Sequence, residues 1–257
     1  MSFLENKPSY QREEWINASD FKVVRVDELQ QRVVDRAKNT PLPVAIFDLD
    51  STLYQVEDRN LAILKAWAHQ NHSSPWSKAV KDLKTHHVGY SIEDTLKSIG
   101  VPSSEKSLYL EIKDFWRERF FTNEWLSHDQ PYPCASSFVS ELHKVGIALL
   151  YLTGRDEPGM GEQTRKSLQR DGFPFEGDSV FYGLKPKKEL DDLEHKKIFL
   201  EQFGRTMNVI VSFENEPRNV ALIQHYFPEA VHVFLKTKMS QRPAPVVKDV
   251  YLLENFE

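Results

Sequence analysis

A short apolar run that ends in two carboxylates constrains this sequence more than any other feature. Residues 44–47 have the composition of a buried strand, and the segment Asp48-Leu49-Asp50 follows them directly. Open α/β sheets bind ligands at the carboxyl ends of their strands, so both carboxylates stand where a functional site is expected. Their spacing suits a division of labour in which Asp48 attacks phosphorus or another electrophile and Asp50 moves the proton.

Helices and strands alternate in the second half of the chain. Apolar strands are predicted at residues 147–152, 179–182, 208–213 and 230–235. Helices are predicted at residues 135–145, 161–170, 190–203 and 218–226. Strands that are apolar on both faces favour a parallel sheet covered by helices on each side. The predicted fold class is therefore α/β, with a Rossmann-like parallel sheet as its core.

A long helical insertion is predicted after the first strand. Residues 57–130 repeat apolar positions at spacings of three and four, without the alternation of a strand. The 103 positions between Asp50 and Thr153 exceed what a direct strand–helix–strand crossover needs. Three regions are therefore expected: an N-terminal arm and helix at 1–42, an α/β core at 43–56 and 131–257, and an all-helical cap at 57–130.

The two ends of the chain carry weaker patterns. Residues 1–20 are polar with scattered aromatic side chains, and we expect an irregular arm there. Residues 27–38 have helical spacing, and Pro41 and Pro43 follow them. The tail beyond Lys236 is expected to be extended, packed on the body or on a partner.

Composition excludes several classes of protein. The 257 residues include 40% apolar and 12% aromatic residues, which is consistent with a globular core. The net charge of −5 gives no overall attraction to nucleic acid or to an acidic membrane, so neither is expected as a partner. Cys134 is the only cysteine, which excludes an intrachain disulfide and a thiolate metal cluster. No apolar stretch reaches membrane-spanning length, and the polar N-terminus is unlike a signal peptide, so a cytoplasmic location is expected.

Two further strand ends carry chemistry. Thr153 and Gly154 follow the strand at 147–152, where a hydroxyl and a glycine amide can donate hydrogen bonds to phosphate oxygens. Glu214 follows the strand at 208–213, where a carboxylate can hold a divalent cation. Both ends belong to the same predicted sheet edge as Asp48.

These elements, in this order, resemble the haloacid dehalogenase superfamily, whose members are mostly phosphatases. The resemblance rests on Asp48-x-Asp50-Ser51-Thr52, on Thr153 at a strand tip, on a later lysine and on Glu214. It implies a core like that of the superfamily, a C1-type cap and a bound Mg²⁺. It implies the catalytic residues Asp48, Asp50, Thr153 and Lys196, the substrate-binding residues Thr153, Gly154, Arg155 and Lys197, and the metal ligands Asp48, Asp50 (through its backbone carbonyl) and Glu214.

The lysine and the last acidic residue each leave alternatives open. Lys196 is preferred because an apolar residue follows four positions on, with Lys197 and then Lys187 as alternatives. Glu214 stands where the family commonly has aspartate, and its extra methylene extends the carboxylate by about 1.5 Å. It can therefore bind the metal directly or through water, and Glu216 is the alternative ligand. Asn215 and Asn219 are neutral donors that could stabilise this loop.

The predicted function is Mg²⁺-dependent hydrolysis of a small phosphomonoester through an aspartyl-phosphate intermediate. Asp50 favours phosphoryl transfer over dehalogenation, because a departing alkoxide needs an acid and a halide does not. Two alternatives stay open. The chain could be a degenerate member that binds a phosphorylated ligand or a protein partner without turnover, or a phosphotransferase that passes the phosphoryl group to another acceptor. Nothing in the sequence specifies the substrate or the oligomeric state.

Overall fold

A seven-stranded sheet forms the centre of the molecule in the computed structural model, which describes residues 8–257. Its strands are β2 (Phe21–Val23), β3 (Pro43–Phe47), β6 (Ala148–Asp156), β7 (Val180–Lys185), β8 (Asn208–Glu214), β9 (Val231–Leu235) and β11 (Val250–Leu253). They are ordered β2-β11-β9-β8-β3-β6-β7, and every neighbouring pair is parallel. Two antiparallel pairs lie outside it: β1 (Ser9–Tyr10) with β10 (Ala244–Pro245), and β4 (Tyr54–Gln55) with β5 (Gln130–Pro131). The predicted α/β class is confirmed.

Helices lie along this sheet and in the insertion. Along the sheet are α2 (Val26–Lys38), α8 (Ala135–Lys144), α9 (Glu157–Arg170), α10 (Asp192–Phe203) and α11 (Pro217–Tyr226), with α1 (Arg12–Ala18) near the N-terminus. Between β4 and β5 lie α3 (Glu57–Gln70), α4 (Ser77–Lys81), α5 (Ile92–Ser98), α6 (Lys106–Phe120) and α7 (Asn123–Leu126). None of the helices within residues 8–257 has the length and apolar character that crossing a membrane requires.

The packing around strand β3 explains why its sequence is continuously apolar. Ala45 and Phe47 pack into the core on one face of the sheet, with α2 and α8. Val44 and Ile46 pack into the core on the other face, with α10 and α11. Because successive side chains of a strand point to opposite faces, a strand covered on both sides needs an apolar residue at every position.

The insertion has a core of its own. Leu64 and Trp67 of α3 pack with Leu96 of α5 and Ile112 of α6 in a cluster separate from those of the sheet. Strands β4 and β5 pair where the chain leaves for the insertion and returns from it. Residues 57–129 form helices and turns without a strand, as predicted. The boundaries of the cap and its C1 type stay predictions.

The N-terminal region differs from expectation, whereas the tail is extended and packs on the body, as one of the two expectations had it. Residues 1–7 of the expected irregular arm lie outside the described residues, but β1, α1 and β2 occupy most of 9–23. Trp15 is fully buried, and its indole nitrogen donates a hydrogen bond to the Pro245 carbonyl at 2.7 Å. In the tail, β11 is a full member of the sheet between β2 and β9. For residues 8–20 the prediction of an irregular arm was wrong, because the order of this segment comes from a partner segment 230 positions away.

A buried histidine links the two central strands β8 and β9. The Ser212 hydroxyl and His232 Nδ1 are 2.8 Å apart, and His232 Nε2 lies 3.0 Å from the Phe227 carbonyl. The neutral ring satisfies both contacts when Nε2 carries the proton and donates to the carbonyl. Burial lowers the pKa of His232 to about 4, the Phe227 carbonyl opposes this shift, and Arg36 adds slightly to it.

Acid is therefore expected to destabilise the protein through His232. A histidine whose pKa falls on folding contributes stability above pH 6.5 that is lost as the pH drops toward 4. Between pH 7 and pH 4.5 the wild-type protein should lose roughly 2 to 3 kcal/mol of unfolding free energy relative to His232→Gln. Urea unfolding of both proteins at the two pH values measures the difference. Equal losses in the two proteins would contradict this assignment.

Candidate active site

The candidate site lies at the carboxyl ends of three adjacent strands. In the order β8-β3-β6, the strand ends place Glu214, Asp48 and Gly154 around one cavity of about 420 Å³. The helical insertion contributes Trp116, Phe120 and Phe121 to its wall, and the tail contributes Lys238 and Arg242. The cavity is thus bounded by the sheet edge, the insertion and the tail.

Lys196 connects the carboxylates of this edge. Its ammonium donates to Asp48 Oδ1 at 2.8 Å and to Glu214 Oε2 at 2.7 Å, and Asp192 Oδ2 lies 3.7 Å away. The Lys196 side chain is only 1% exposed. Helix α10 places Asp192 and Lys196 one turn apart on the same face. The structure therefore brings together Asp48, Lys196 and Glu214, which lie up to 166 positions apart in the sequence.

This cluster holds more negative than positive charge. Burial and then the Glu214 carboxylate raise the pKa of Asp48 well above its ordinary value, although Lys196 opposes the shift. Burial also raises the pKa of Glu214, against the effect of Lys196. Burial alone would lower the pKa of Lys196, but the surrounding carboxylates outweigh it and raise that pKa. One ammonium thus faces several carboxylates, and a further cation there would be stabilised.

The glutamate that replaces the usual aspartate is held at both oxygens. Glu214 Oε1 accepts the backbone N–H groups of Asn215 and Glu216, each at 3.0 Å, and Oε2 accepts from Lys196. Glu216, the alternative metal ligand, instead accepts the Ser240 backbone N–H at 3.0 Å. The longer side chain of Glu214 therefore folds back onto its own loop while keeping its contact with Lys196.

Two asparagines hold the surrounding groups in place. The Asn215 amide donates to the Lys238 carbonyl at 2.6 Å, and Asn219 donates to Asp192 Oδ2 at 2.8 Å. Thr52 Oγ1 lies 3.2 Å from Asp48 Oδ2 and 3.1 Å from Asn215 Oδ1. These contacts agree with the predicted role of both asparagines in stabilising this part of the site.

Asp50 is part of a buried ion network that links the insertion to the core. Its Oδ1 accepts from Arg155 Nη2 at 2.5 Å and from Nε at 2.9 Å, and Arg59 Nη2 of α3 lies 3.0 Å away. Asp129 completes the network at 2.9 Å from Arg59 and 2.8 Å from Arg155. Burial raises the pKa of Asp50, but the two arginines outweigh it and hold the pKa at about 2. The carboxyl group is therefore ionised at neutral pH, and it takes up or donates a proton only after these contacts change.

The other predicted site residues differ in whether they line the cavity. Gly154 lines the cavity, and a Cβ there would lie 2.7 Å from Asp192 Oδ1, so a larger residue would require the Asp192 side chain to shift. Thr153 is buried at the strand end, and its hydroxyl accepts the Arg155 backbone N–H at 3.3 Å. The Arg155 guanidinium points into the ion network rather than the cavity. Any direct contact of Thr153 or Arg155 with substrate stays a prediction.

The structure does not bring Lys197 into the cavity. Its side chain is 25% exposed and lies 3.8 Å from Glu194 on the outer side of α10. Consecutive helical residues point about 100° apart, so the burial of Lys196 directs Lys197 away. Lys187 does not line the cavity either. Of the three predicted lysines, only Lys196 contacts Asp48.

Several residues of the site are not among those predicted from the sequence. Asp192 could have been found from its position four residues before Lys196 on the same helix. Arg59 and Asp129 pair across 70 positions, and nothing local marks either residue. Lys238 reaches the insertion from the tail, with its ammonium 3.3 Å from Glu57 and hydrogen-bonded to the Val88 carbonyl.

The donor set suits Mg²⁺ better than a metal that needs a full protein cage. Within residues 8–257 no group of three or more His, Cys, Asp or Glu side chains is arranged as a preformed metal centre. Mg²⁺ usually takes one or two carboxylates and keeps several waters. Asp48 and Glu214 have lone pairs left, and the buried Asp192 Oδ1 has no hydrogen-bond partner in the part of the chain that the structure describes. The excess negative charge and this unpaired oxygen fit a hydrated divalent cation.

Comparison with models of known protein families identifies one family. The sequence model described as "Haloacid dehalogenase-like hydrolase" matches residues 45–175, just over half of the chain. A Bacillus cereus protein named "Putative nucleotidase" is 27% identical over 150 residues, which cover 58% of this chain and 71% of that protein. A "Putative Phosphatase" from Clostridium difficile superposes with a TM-score of 0.49 and 14% identity, across 82% of this chain and 94% of that one. A "predicted phosphatase" from Clostridium acetobutylicum superposes with a TM-score of 0.45 and 12% identity, across 82% of this chain and 94% of that one.

Proposed function

This chain belongs to the haloacid dehalogenase-like hydrolase family, and on that premise we propose that it is a Mg²⁺-dependent phosphatase acting on a small phosphomonoester. The observation that carries the proposal is the placement of Asp48 in the cavity, 2.8 Å from the Lys196 ammonium and on a strand adjacent to that of Glu214. A carboxylate nucleophile beside a fixed cation is the arrangement that phosphoryl transfer needs.

The proposed reaction has two displacements at phosphorus. A carboxylate oxygen of Asp48 forms a bond to phosphorus as the bond to the leaving oxygen breaks, and that oxygen takes a proton from Asp50. Water then attacks the aspartyl-phosphate, Asp50 takes the proton of the water, and phosphate leaves with Asp48 restored. Asp50 is protonated for the first step only when substrate loosens its contacts with Arg155 and Arg59. Lys196 and the Gly154 amide stabilise the charge on the phosphoryl oxygens.

Mg²⁺ is the proposed cofactor. Asp48, the backbone carbonyl of Asp50 and Glu214 would hold it, and the bound ion would screen the repulsion between the Asp48 carboxylate and the phosphate. The proposal draws support from the uncompensated carboxylates around Lys196.

A nucleoside monophosphate is a second candidate substrate within the same chemistry. Trp116, Phe120 and Phe121 form an aromatic wall on the insertion side of the cavity. Trp116 is fixed by a 2.6 Å hydrogen bond from its indole nitrogen to Asn60 Oδ1. Aromatic side chains stack on the flat face of a nucleobase, and the Bacillus cereus relative bears the name of a nucleotidase.

Hydrolysis of p-nitrophenyl phosphate, with Mg²⁺ and with EDTA, tests the proposal. We expect turnover with Mg²⁺, loss of turnover to background with EDTA, and recovery when excess Mg²⁺ is restored. Mg²⁺ binding without hydrolysis of this ester, or of a panel that includes nucleoside monophosphates, would instead support a binding protein. Transfer of phosphate to an added alcohol in preference to water would indicate a phosphotransferase.

A further inference from the structure

Lys185 is a buried cation in the wall of the same cavity. Strand β7 ends at this residue, next to β6, and the side chain lines the cavity although the residue is only 5% exposed. Its ammonium donates to the carbonyls of Lys188 and Leu190, each at 2.9 Å. An ammonium has three N–H donors, so one remains without a hydrogen-bond acceptor among residues 8–257, and the centroid of the Phe121 ring lies 6.0 Å from the nitrogen.

No carboxylate of the described chain neutralises Lys185. Three other cations of the site have one within 4 Å: Lys196 has Asp48 and Glu214, Lys238 has Glu57, and Arg242 has Asp191. Carbonyl oxygens satisfy the hydrogen bonds of a buried ammonium but do not cancel its charge. Burying an unpaired charge lowers the stability of the protein, and a bound anion that pairs with the charge offsets this cost.

A second cation of the cavity shows the same lack of a partner. Arg218, in the first turn of α11, forms no ion pair within residues 8–257, and its buried Nε has no hydrogen-bond partner. The transferred phosphoryl group is already served by Lys196. Besides Lys196, the cavity wall therefore holds two cations, Lys185 and Arg218, that have no carboxylate partner within residues 8–257.

We propose that Lys185 binds a second anionic group of the substrate, so that the natural substrate is a phosphate ester that also carries a carboxylate or another phosphate. This inference rests on the proposed phosphatase function and narrows its substrate class. A cavity of about 420 Å³ has room for an organic group that spans two charged ends. Lys185 suits such a group because a lysine ammonium is a compact point charge that pairs with a carboxylate or with a phosphate.

Binding to the Asp48→Asn variant tests the inference without requiring turnover. Calorimetry in the presence of Mg²⁺ compares phenyl phosphate with 4-carboxyphenyl phosphate and 1,4-phenylene bisphosphate. We expect at least one doubly anionic ester to bind about tenfold or more tightly than phenyl phosphate. The doubly anionic ester that binds more tightly identifies the second group as a carboxylate or a phosphate.

Adding Lys185→Gln should remove this preference and leave phenyl phosphate binding within about threefold. Glutamine keeps N–H donors for the two carbonyls but lacks the charge, so it separates ligand binding from a role in holding the 186–190 loop. Lys188→Gln is the matched control, because Lys188 lies on the same loop, outside the cavity wall, and donates to the Arg117 carbonyl. Lys185→Met is the second variant should the first fail to fold.

Three results would overturn the inference: no preference for either doubly anionic ester, an equal loss for all three esters on replacing Lys185, or the same loss of preference in Lys188→Gln. Failure of the phosphatase proposal would give a different set of results. In that case the wild-type chain hydrolyses none of the three esters, whereas the preference in binding and its dependence on Lys185 remain.

Discussion

Replacing Asp48 by asparagine is expected to lower phosphate ester hydrolysis by about four orders of magnitude or more while the protein stays folded. The amide of asparagine cannot act as the nucleophile, and Lys196 keeps Glu214 as a partner. Because burial and Glu214 raise the pKa of Asp48, a neutral residue of the same shape relieves repulsion in the folded state. The unfolding free energy should therefore be unchanged or higher.

Initial rates with p-nitrophenyl phosphate and Mg²⁺ measure the loss, and urea unfolding measures the stability. Asp35→Asn is the matched control, since Asp35 is an exposed residue of α2 whose carboxylate contacts Lys38 at 2.8 Å. Its rate should equal that of the wild-type protein. Turnover of Asp48→Asn within about tenfold of wild type, after purification from other phosphatases, would exclude Asp48 as the nucleophile.

The largest loss of stability is expected for Lys196→Met. This change removes the one ammonium among Asp48, Glu214 and Asp192 and leaves their buried charges uncompensated. Breaking a buried ion pair by removing one partner costs about 3 to 5 kcal/mol. Hydrolysis should also fall to background, because the phosphoryl oxygens lose a fixed cation.

The neighbouring Lys197→Met is the control for stability. Lys197 lies on the same helix, and its one ion contact is at the surface, so its removal should change the unfolding free energy by less than about 1 kcal/mol. The activity of this control tests the substrate-binding role that the sequence predicts for Lys197. Stability of Lys196→Met within about 1 kcal/mol of wild type would show that Lys196 is not a buried counter-ion.

The sequence predicts the sheet and the heart of the site because both depend on local patterns. An apolar run followed by a carboxylate places Asp48, and the same rule places Glu214 and Gly154, since parallel strands share one carboxyl edge. Lys196 is preferred over Lys197 and Lys187 by the resemblance to the family, in which an apolar residue follows the lysine four positions on. These residues need only the direction of a strand or helix to be located.

Other parts depend on pairings that no local pattern records. Strands β2 and β11 are short, and they pair with each other across 229 positions of sequence, as Phe21 does with Val250. Arg59 and Asp129 read as ordinary charged residues of a helix and a loop, yet both are fully buried. Their burial is stable only because the insertion folds back against Arg155, which is a property of the tertiary structure.

The position of β11 in the sheet has a consequence for biosynthesis. Strand β2 pairs only with β11, and β11 in turn covers the edge of β9. A ribosome therefore delivers β2 long before its partner exists, and β9 presents an open edge until β11 emerges. Open strand edges and contacts distant in sequence slow folding and favour association between chains. We expect the nascent protein to depend on chaperones for longest in this interval, and to aggregate if the chain stops short of Val250.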